Sequence, residues 1–216
     1  MKPGDSARRS CSWCTEGPFL DIMLQPLLAQ GFEDFCFCLG HLADQVVAHL
    51  RCRWGWLRLS FHVDAEPLGT AGSLRAARRL LDQRFLLVLG DTYLDIDYRS
   101  LLGDLTPDAL GVMAVSEAVT EVPGNVEIGG GRVTRYDKVA GTDATWVDTG
   151  AMALSKRALD LIDATSGAAD LGELFGQLIS RNALLAHPVG QPFYDIGTPE
   201  RLRRFADHLA TGLGHQ

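Results

Sequence analysis

The sequence predicts an α/β fold built on a doubly wound, mainly parallel sheet. Three observations predict it. Apolar runs of strand length alternate with amphipathic segments long enough for crossover helices, the pattern that parallel strands require. The stretch "RFLLVLGD" (84–91) is almost continuously apolar, as a strand covered on both faces must be. A chain of 216 residues with 46% hydrophobic content can bury a sizeable core.

Each element follows from local chemistry. "PFLDIMLQPLLAQG" (18–31) reads as a helix opened by Pro18 and closed by Gly31, with a kink expected at Pro26. "EDFCFCLG" is a strand with Phe35 and Phe37 on one face and Cys36 and Cys38 on the other. A helix follows in "HLADQVVAHL", then a strand in "LRLSFHVD" (57–64). "TAGSLRAARRLLDQ" (70–83) places Leu74, Ala77 and Leu81 on one helical face and its arginines mostly outside. After the 84–91 run, "ALGVMAVSE" is a further strand. In "NVEIGGGRVTRYDK" three consecutive glycines separate two alternating segments, which predicts a hairpin over 124–138. "TWVDTGAMALS" is a strand, "ADLGELFGQLISRN" a helix, and "ALLAHPVGQPFYDIGTPE" a strand and turn leading to a last helix near Pro199. Residues 18–216 are expected to form one domain. Residues 1–17 fit no element and are expected to be disordered.

Composition excludes several functions. A net charge of −7 lacks the basic face that nucleic-acid binding needs to replace phosphate counterions. No apolar run approaches the roughly 20 residues that span a bilayer. The basic start "MKPGDSARRSCSWC" has no apolar stretch behind it and does not read as a secretory signal, so a cytoplasmic protein is expected. The five cysteines are then expected to stay reduced. Cys11-x-x-Cys14 and Cys36-x-Cys38 invite a zinc site, but no histidine completes a second half-site at the usual spacing.

Ligands of doubly wound sheets bind at the carboxyl ends of the strands, and several segments deliver polar residues there. "EPLGTAGSL" (66–74) sets glycines before a helix, where bare amides can meet an anion or a flat base. Asp91 ends one strand, Asp137 and Lys138 another, and Asp195 a third. Two carboxylates distant in sequence, a lysine and a glycine-rich helix start on one rim suit phosphoryl chemistry with Mg²⁺. Oxygen ligands hold the hard cation, and a lysine neutralises phosphate charge.

"PLGTAGSL", "FLLVLGDTYLDID", "YDK" and "FYDIGTPERL", in this order, resemble the sugar-1-phosphate nucleotidyltransferases, in particular the mannose-1-phosphate and heptose-1-phosphate guanylyltransferases. The similarity extends over about residues 18–210. It implies a Rossmann-like sheet and a reaction of nucleotide-sugar biosynthesis: a sugar 1-phosphate attacks the α-phosphorus of a nucleoside triphosphate, and pyrophosphate leaves. Asp91 and Asp195 match the pair that holds Mg²⁺, and Lys138 matches the lysine that binds the sugar phosphate. Asp137 stands where the family usually has a glutamate for the sugar hydroxyls, and Gly124 and Gly150 match glycines lining the sugar pocket. Gly69, Thr70 and Gly72 match the segment facing the nucleobase, and Asp64 falls near an acidic base-recognition position. The substrates implied are a nucleoside triphosphate, GTP in the first instance, and a sugar 1-phosphate. Neither nucleic acid nor membrane is expected as a partner, and a second copy of the chain is left open.

The chain departs from the family at its start. Members open with a short strand, a Gly-Gly-x-Gly-Thr-Arg loop and Pro-Lys-Pro, where this sequence offers "MKPGDSARRSCSWCTEG". The loop's amides and arginine wrap the triphosphate, for which Arg8 and Arg9 are weak substitutes. The strand is the central one of the family's sheet, so a sheet lacking its first strand is expected between "EDFCFCLG" and "RFLLVLGD". That leaves three expectations: a nucleotidyltransferase whose recorded start, or a frame error upstream of Pro18, has lost the true N-terminus; a catalytically silent relative that binds sugar nucleotides and regulates or partners an active enzyme; or an unrelated α/β ligand-binding protein.

Overall fold

The computed structural model describes residues 18–117, 123–137, 144–163 and 167–212. Helix α1 (Phe19–Ala29) starts behind Pro18, continues through the buried Pro26, and ends before Gly31, whose φ of +78° suits glycine. Strand β1 (Asp34–Leu39), helix α2 (Ala43–Trp54) and strand β2 (Arg58–Val63) form a βαβ unit with parallel pairing, Cys36 opposite Ser60 and Cys38 opposite His62. Helix α3 (Gly69–Ala76) tightens into a 3₁₀ turn over Ala77–Leu80, shorter than the 70–83 helix expected. Strands β3 (Arg84–Val88) and β4 (Thr92–Leu94) flank the Gly90–Asp91 turn. Helix α4 (Tyr98–Gly103) is capped by Asp97, whose carboxylate accepts from the Ser100 amide.

Strand β5 (Gly111–Glu117) lies deep in the core, and β6 (Val126–Gly129) and β7 (Arg132–Tyr136) form the expected hairpin. Its turn uses Gly130 and Gly131, both at positive φ. Strand β8 (Trp146–Ser155) leads through a 3₁₀ turn to helix α5 (Leu171–Ser180). Strands β9 (Leu184–Pro188) and β10 (Phe193–Asp195) and helix α6 (Pro199–Gly212) complete the order.

The strands are ordered β3-β8-β5-β9-β7-β6 in one sheet, with β1-β2 and β10-β4 as separate pairs. The expectation of a mainly parallel sheet is corrected. Only β1–β2 and β5–β9 pair in parallel among the eight pairings, so the architecture is α/β with mixed sheets. The cause is local. A parallel neighbour needs a crossover of a dozen or more residues, usually a helix. Between β5 and β8 the chain carries the β6–β7 hairpin instead, and β8 returns antiparallel to both β5 and β3. Since β3 and β5 both oppose β8, and β9 parallels β5, those three strands still run in one direction.

Among the described residues, no strand pairs with the edge of β1 away from β2, or with the edge of β3 away from β8. The core nevertheless runs on across this break. Phe35 and Phe37 of β1 and Leu86 and Val88 of β3 pack against one cluster that contains Leu24, Leu27, Leu50, Leu94 and Leu101. Those four strand residues stay only half-buried, whereas Val112 to Val115 of β5 are fully buried. Alternate amides of β1 and β3 should therefore exchange with solvent orders of magnitude faster than those of β5, read residue by residue by NMR. Uniform protection would show that another segment or a second chain fills the edge.

Helix α1 is fixed by a buried charge. Asp21 is 6% exposed and accepts from the Trp54 indole at 2.7 Å, with His49 Nε2 at 2.8 Å. Replacing it leaves two half-buried polar groups of α2 without their acceptor. Asp21→Ala should lower unfolding free energy by about 3 kcal/mol in chemical denaturation.

Candidate functional site

The rim of the sheet is assembled around Gly150, near the middle of β8. Its φ of +77° is left-handed, and a Cβ there would stand 2.9 Å from Thr92 Oγ1. The Gly150 carbonyl accepts from the Leu89 amide at 2.9 Å, holding β8 against the turn that carries Asp91. Strand β4 leaves that turn and pairs antiparallel with β10, placing Asp195 opposite Thr92. The Ile196 amide donates to the Asp91 carbonyl at 2.9 Å. The structure thus puts Asp195 on the rung opposite Thr92 and joins the turn residue Asp91 to it through the backbone of Ile196.

Their surroundings differ. Asp91 is exposed and only loosely approached by Thr92 Oγ1 at 3.4 Å. Asp195 is engaged on both oxygens: Oδ1 accepts from the Gly197 amide at 2.8 Å, and Oδ2 is gripped by Arg201.

The other side of Gly150 holds the remaining pocket residues. Its amide donates to Asp148 Oδ1 at 2.9 Å, and the Asp148 amide donates to Asn125 Oδ1 at 2.9 Å. The Asn125 carbonyl accepts from the Asp137 amide at 2.8 Å. Gly124 is buried, and a Cβ on it would overlap the Ala144 carbonyl. Gly124, Asp137 and Gly150 therefore gather at one place, joined to Asp91 and Asp195 through Thr92. The Asp137 carboxylate is paired with Arg135 at 2.7 Å. Lys138 lies outside the described residues.

The expected base-facing segment sits on α3. Gly69, at φ +69°, packs where a Cβ would overlap the Ala169 carbonyl. That carbonyl accepts from the amides of Ala71 and Gly72 at 3.1 and 3.2 Å. The expectation of bare amides is corrected here, because the chain before α5 supplies its own acceptor. Thr70 is exposed beside them. Asp64 faces inward: Oδ2 accepts from Ser73 Oγ, and His62 Nε2 lies 2.9 Å from Oδ1 without hydrogen-bond alignment.

Sequence reasoning missed Asp148. Burial pushes its carboxyl up to about 6, against the opposing pull of the Gly150 amide. Burial, followed by the charges of Asp148 and Asp170, also raises the nearby Tyr136 hydroxyl to about 12. The signal available was "WVDTG", a carboxylate inside an otherwise buried strand. With the folded value above the ordinary carboxylate value near 3.9, the folded chain holds this proton more tightly than the unfolded one. Its contribution to stability is full below about pH 4 and is lost as pH rises through 6, a loss of at most about 3 kcal/mol. Asp148→Asn, which keeps an acceptor for Gly150, should flatten the stability profile between pH 4 and 7 in thermal melts.

Comparisons with known proteins agree with this architecture. The sequence profile described as Nucleotidyl transferase matches residues 10–212. The D-glycero-alpha-D-manno-heptose 1-phosphate guanylyltransferase of Campylobacter jejuni is 23% identical over 84 residues, covering 39% of this chain and 38% of the relative. The mannose-1-phosphate guanyltransferase of Yarrowia lipolytica is 24% identical over 195 residues, covering 85% of this chain and 53% of the relative. The chain thus spans about half or less of the length of these curated relatives. Among solved structures, HddC from Yersinia pseudotuberculosis superposes with a TM-score of 0.75 at 23% identity, covering 89% of this chain and 85% of that one. The inositol-1-phosphate CTP transferase from T. maritima reaches 0.72 at 15% identity, covering 91% of this chain and 82% of that one. With the profile covering nearly the whole chain, the protein belongs to the nucleotidyl transferase family.

Proposed function

We propose that this chain transfers a nucleotidyl group from a nucleoside triphosphate, GTP for preference, to a sugar 1-phosphate, releasing pyrophosphate. The observation that carries the reading is the β4–β10 ladder, which sets Asp91 beside Asp195 on the rim shared with Asp148, Gly150 and Asp137. The preference for guanine rests on the guanylyltransferase names of the relatives and on a second HddC structure solved with GMP-PN. The β1–β2 pair and the larger sheet, which share one core cluster, are read as halves of a single Rossmann-like, doubly wound sheet.

The two aspartates suit a hard divalent cation. Their donors are carboxylate oxygens, and Asp195 already attracts a cationic group of the chain itself. Among the described residues no group of three or more His, Cys, Asp or Glu is arranged to hold a metal. Water and substrate phosphate would complete an Mg²⁺ shell on Asp91 and Asp195. When bound, Mg²⁺ supplies charge neutralisation at the phosphates.

Residues of the chain account for the rest. Gly124 and Gly150 let the chain close up against Ala144 and Thr92, and that close packing shapes the part of the rim read as the sugar side. Asp148 and Asp137 offer acceptors to its hydroxyls. Lys138 binds the sugar phosphate and orients its oxygen toward the α-phosphorus, where holding the reactants in line is the main catalytic demand. Thr70, Gly69 and Gly72 face the base, with Asp64 held behind them by Ser73. We read the reaction as cytoplasmic, a compartment in which thiols such as Cys36, Cys38 and Cys52 would stay reduced. Among the described residues no helix is long and apolar enough to cross a membrane.

The test is pyrophosphate release from GTP with mannose 1-phosphate or D-glycero-α-D-manno-heptose 1-phosphate and Mg²⁺, compared with ATP, CTP and UTP. Lys138→Ala should raise KM for the sugar phosphate at least tenfold and change KM for the triphosphate far less. Binding of a GDP-sugar without any turnover would instead identify a catalytically silent relative.

A further inference from the structure

Asp195 already holds a cation. Its Oδ2 is bound by Arg201 Nη1, six residues on and in the first turn of α6, while Oδ1 is committed to the Gly197 amide. The Arg201 side chain is 50% exposed and that of Asp195 29%, so the pair sits at the surface of the rim rather than inside the core. Asp91 is exposed and, among the described residues, its carboxylate meets only Thr92 Oγ1 at 3.4 Å. A divalent cation bridging the two aspartates would have to take from Arg201 the oxygen that Arg201 now occupies.

Helix α6 does not depend on this pair for its place. Phe205 is 3% exposed and packs against Phe19 of α1, Tyr93 of β4 and Tyr194 of β10, at ring separations of 5.3, 5.1 and 5.7 Å. His208 stacks on Tyr194 at 4.4 Å. The Arg201 amide also donates to Thr198 Oγ1 at 3.3 Å, which fixes the backbone of the first turn independently of the guanidinium. Releasing Arg201 from Asp195 therefore moves a side chain and leaves the helix where it is.

We propose that Arg201 is a resident counter-ion of the Asp91–Asp195 pair, a positioning residue that a divalent cation must displace and that thereby sets the cation affinity of the rim. The inference rests on the reading of those aspartates as the Mg²⁺ pair. It has a consequence opposite to that of an ordinary structural arginine. Removing the guanidinium leaves the Asp195 carboxylate with the Gly197 amide alone, so cation binding strengthens. Exchange of one partner for another also makes the cation weakly held without nucleotide. A triphosphate brings anionic oxygens that can draw the guanidinium away, so cation and nucleotide should bind together more tightly than either binds alone.

Mn²⁺ binding, followed by electron paramagnetic resonance of the free ion, measures this without turnover. Arg201→Gln should bind Mn²⁺ between about threefold and tenfold more tightly than the unsubstituted chain, the size expected for exchanging an exposed ion pair. Asp195→Asn should abolish the difference. An Arg201→Gln chain that binds Mn²⁺ equally or more weakly overturns the counter-ion while leaving the aspartate pair intact. Absence of Mn²⁺ binding in both chains overturns the pair and the counter-ion together. Should Arg201→Gln fail to fold, the unsubstituted protein carries the test alone. The NMR resonance of the Arg201 side-chain nitrogens must shift as Mg²⁺ is titrated, and an unmoved resonance at saturating Mg²⁺ rejects displacement.

Discussion

The geometry of the rim depends on the close approach of Gly150 to Thr92. Strand β8 bonds to both halves of the site, and it does so at a residue whose missing side chain is what allows contact. A Cβ at Gly150 would press on Thr92 Oγ1 at 2.9 Å, and Thr92 is itself buried with little room to retreat. Displacing Thr92 would displace β4, and with β4 its partner β10 and Asp195. The positive φ adds a second reason for glycine, since L side chains rarely adopt it. One backbone position thus fixes the separation between the Asp148 side of the pocket and the Asp91 side.

Around that joint the chain has compensated most of its own charge. Asp64 is held by Ser73 and approached by His62, Asp137 by Arg135, Asp148 by the Gly150 amide, and Asp195 by Arg201 and the Gly197 amide. The amides of Ala71 and Gly72 are likewise taken by Ala169. Ligand binding at such a rim is largely an exchange of internal partners for external ones. The net gain from each exchange is small, because a hydrogen bond or ion pair already made must be given up. Specificity then comes from how many exchanges a ligand completes at once, which favours one that carries several polar groups on one frame.

Much of this architecture was legible in the sequence, and the parts that were not share a cause. Long periodic segments such as α1, β5, β8 and α5 stand where their apolar spacing puts them, and the triple glycine marks the β6–β7 turn. Strand β4 spans three residues, too few for any periodicity to show. Helix α4 announces itself only through Asp97, since six residues make little more than one turn. The antiparallel course of β8 follows from a missing crossover helix, a feature of chain direction that side-chain patterning does not encode. In the site, Asp91 is legible because Gly-Asp follows the apolar run of β3, and Asp195 because it closes the short segment before the last helix. Asp148 was passed over because a carboxylate within a buried strand disturbs the pattern without changing its period. The blocking of the α3 amides by Ala169 pairs residues a hundred apart, which a single sequence has no means of showing.

The division of the strands gives the site a further property. Asp64 belongs to the end of the β1–β2 unit, whereas Asp91, Asp148 and Asp195 belong to the other ladders. Among the described residues no strand pairing joins the two. The connection is made by side chains: Phe35 and Phe37 meet the cluster that also receives Leu86 and Val88, and Ser73 of α3 bonds to Asp64 while α3 itself is fastened at Ala169. Hydrogen-bonded ladders fix register in steps of a residue, but apolar packing resists sliding only through the shape of the contact. The part of the rim on α3 and Asp64 is therefore positioned less rigidly against the part on β4 and β10 than those two strands are against each other. A ligand that reaches from Thr70 to Asp91 would tie the two together and contribute to the order of the site it occupies.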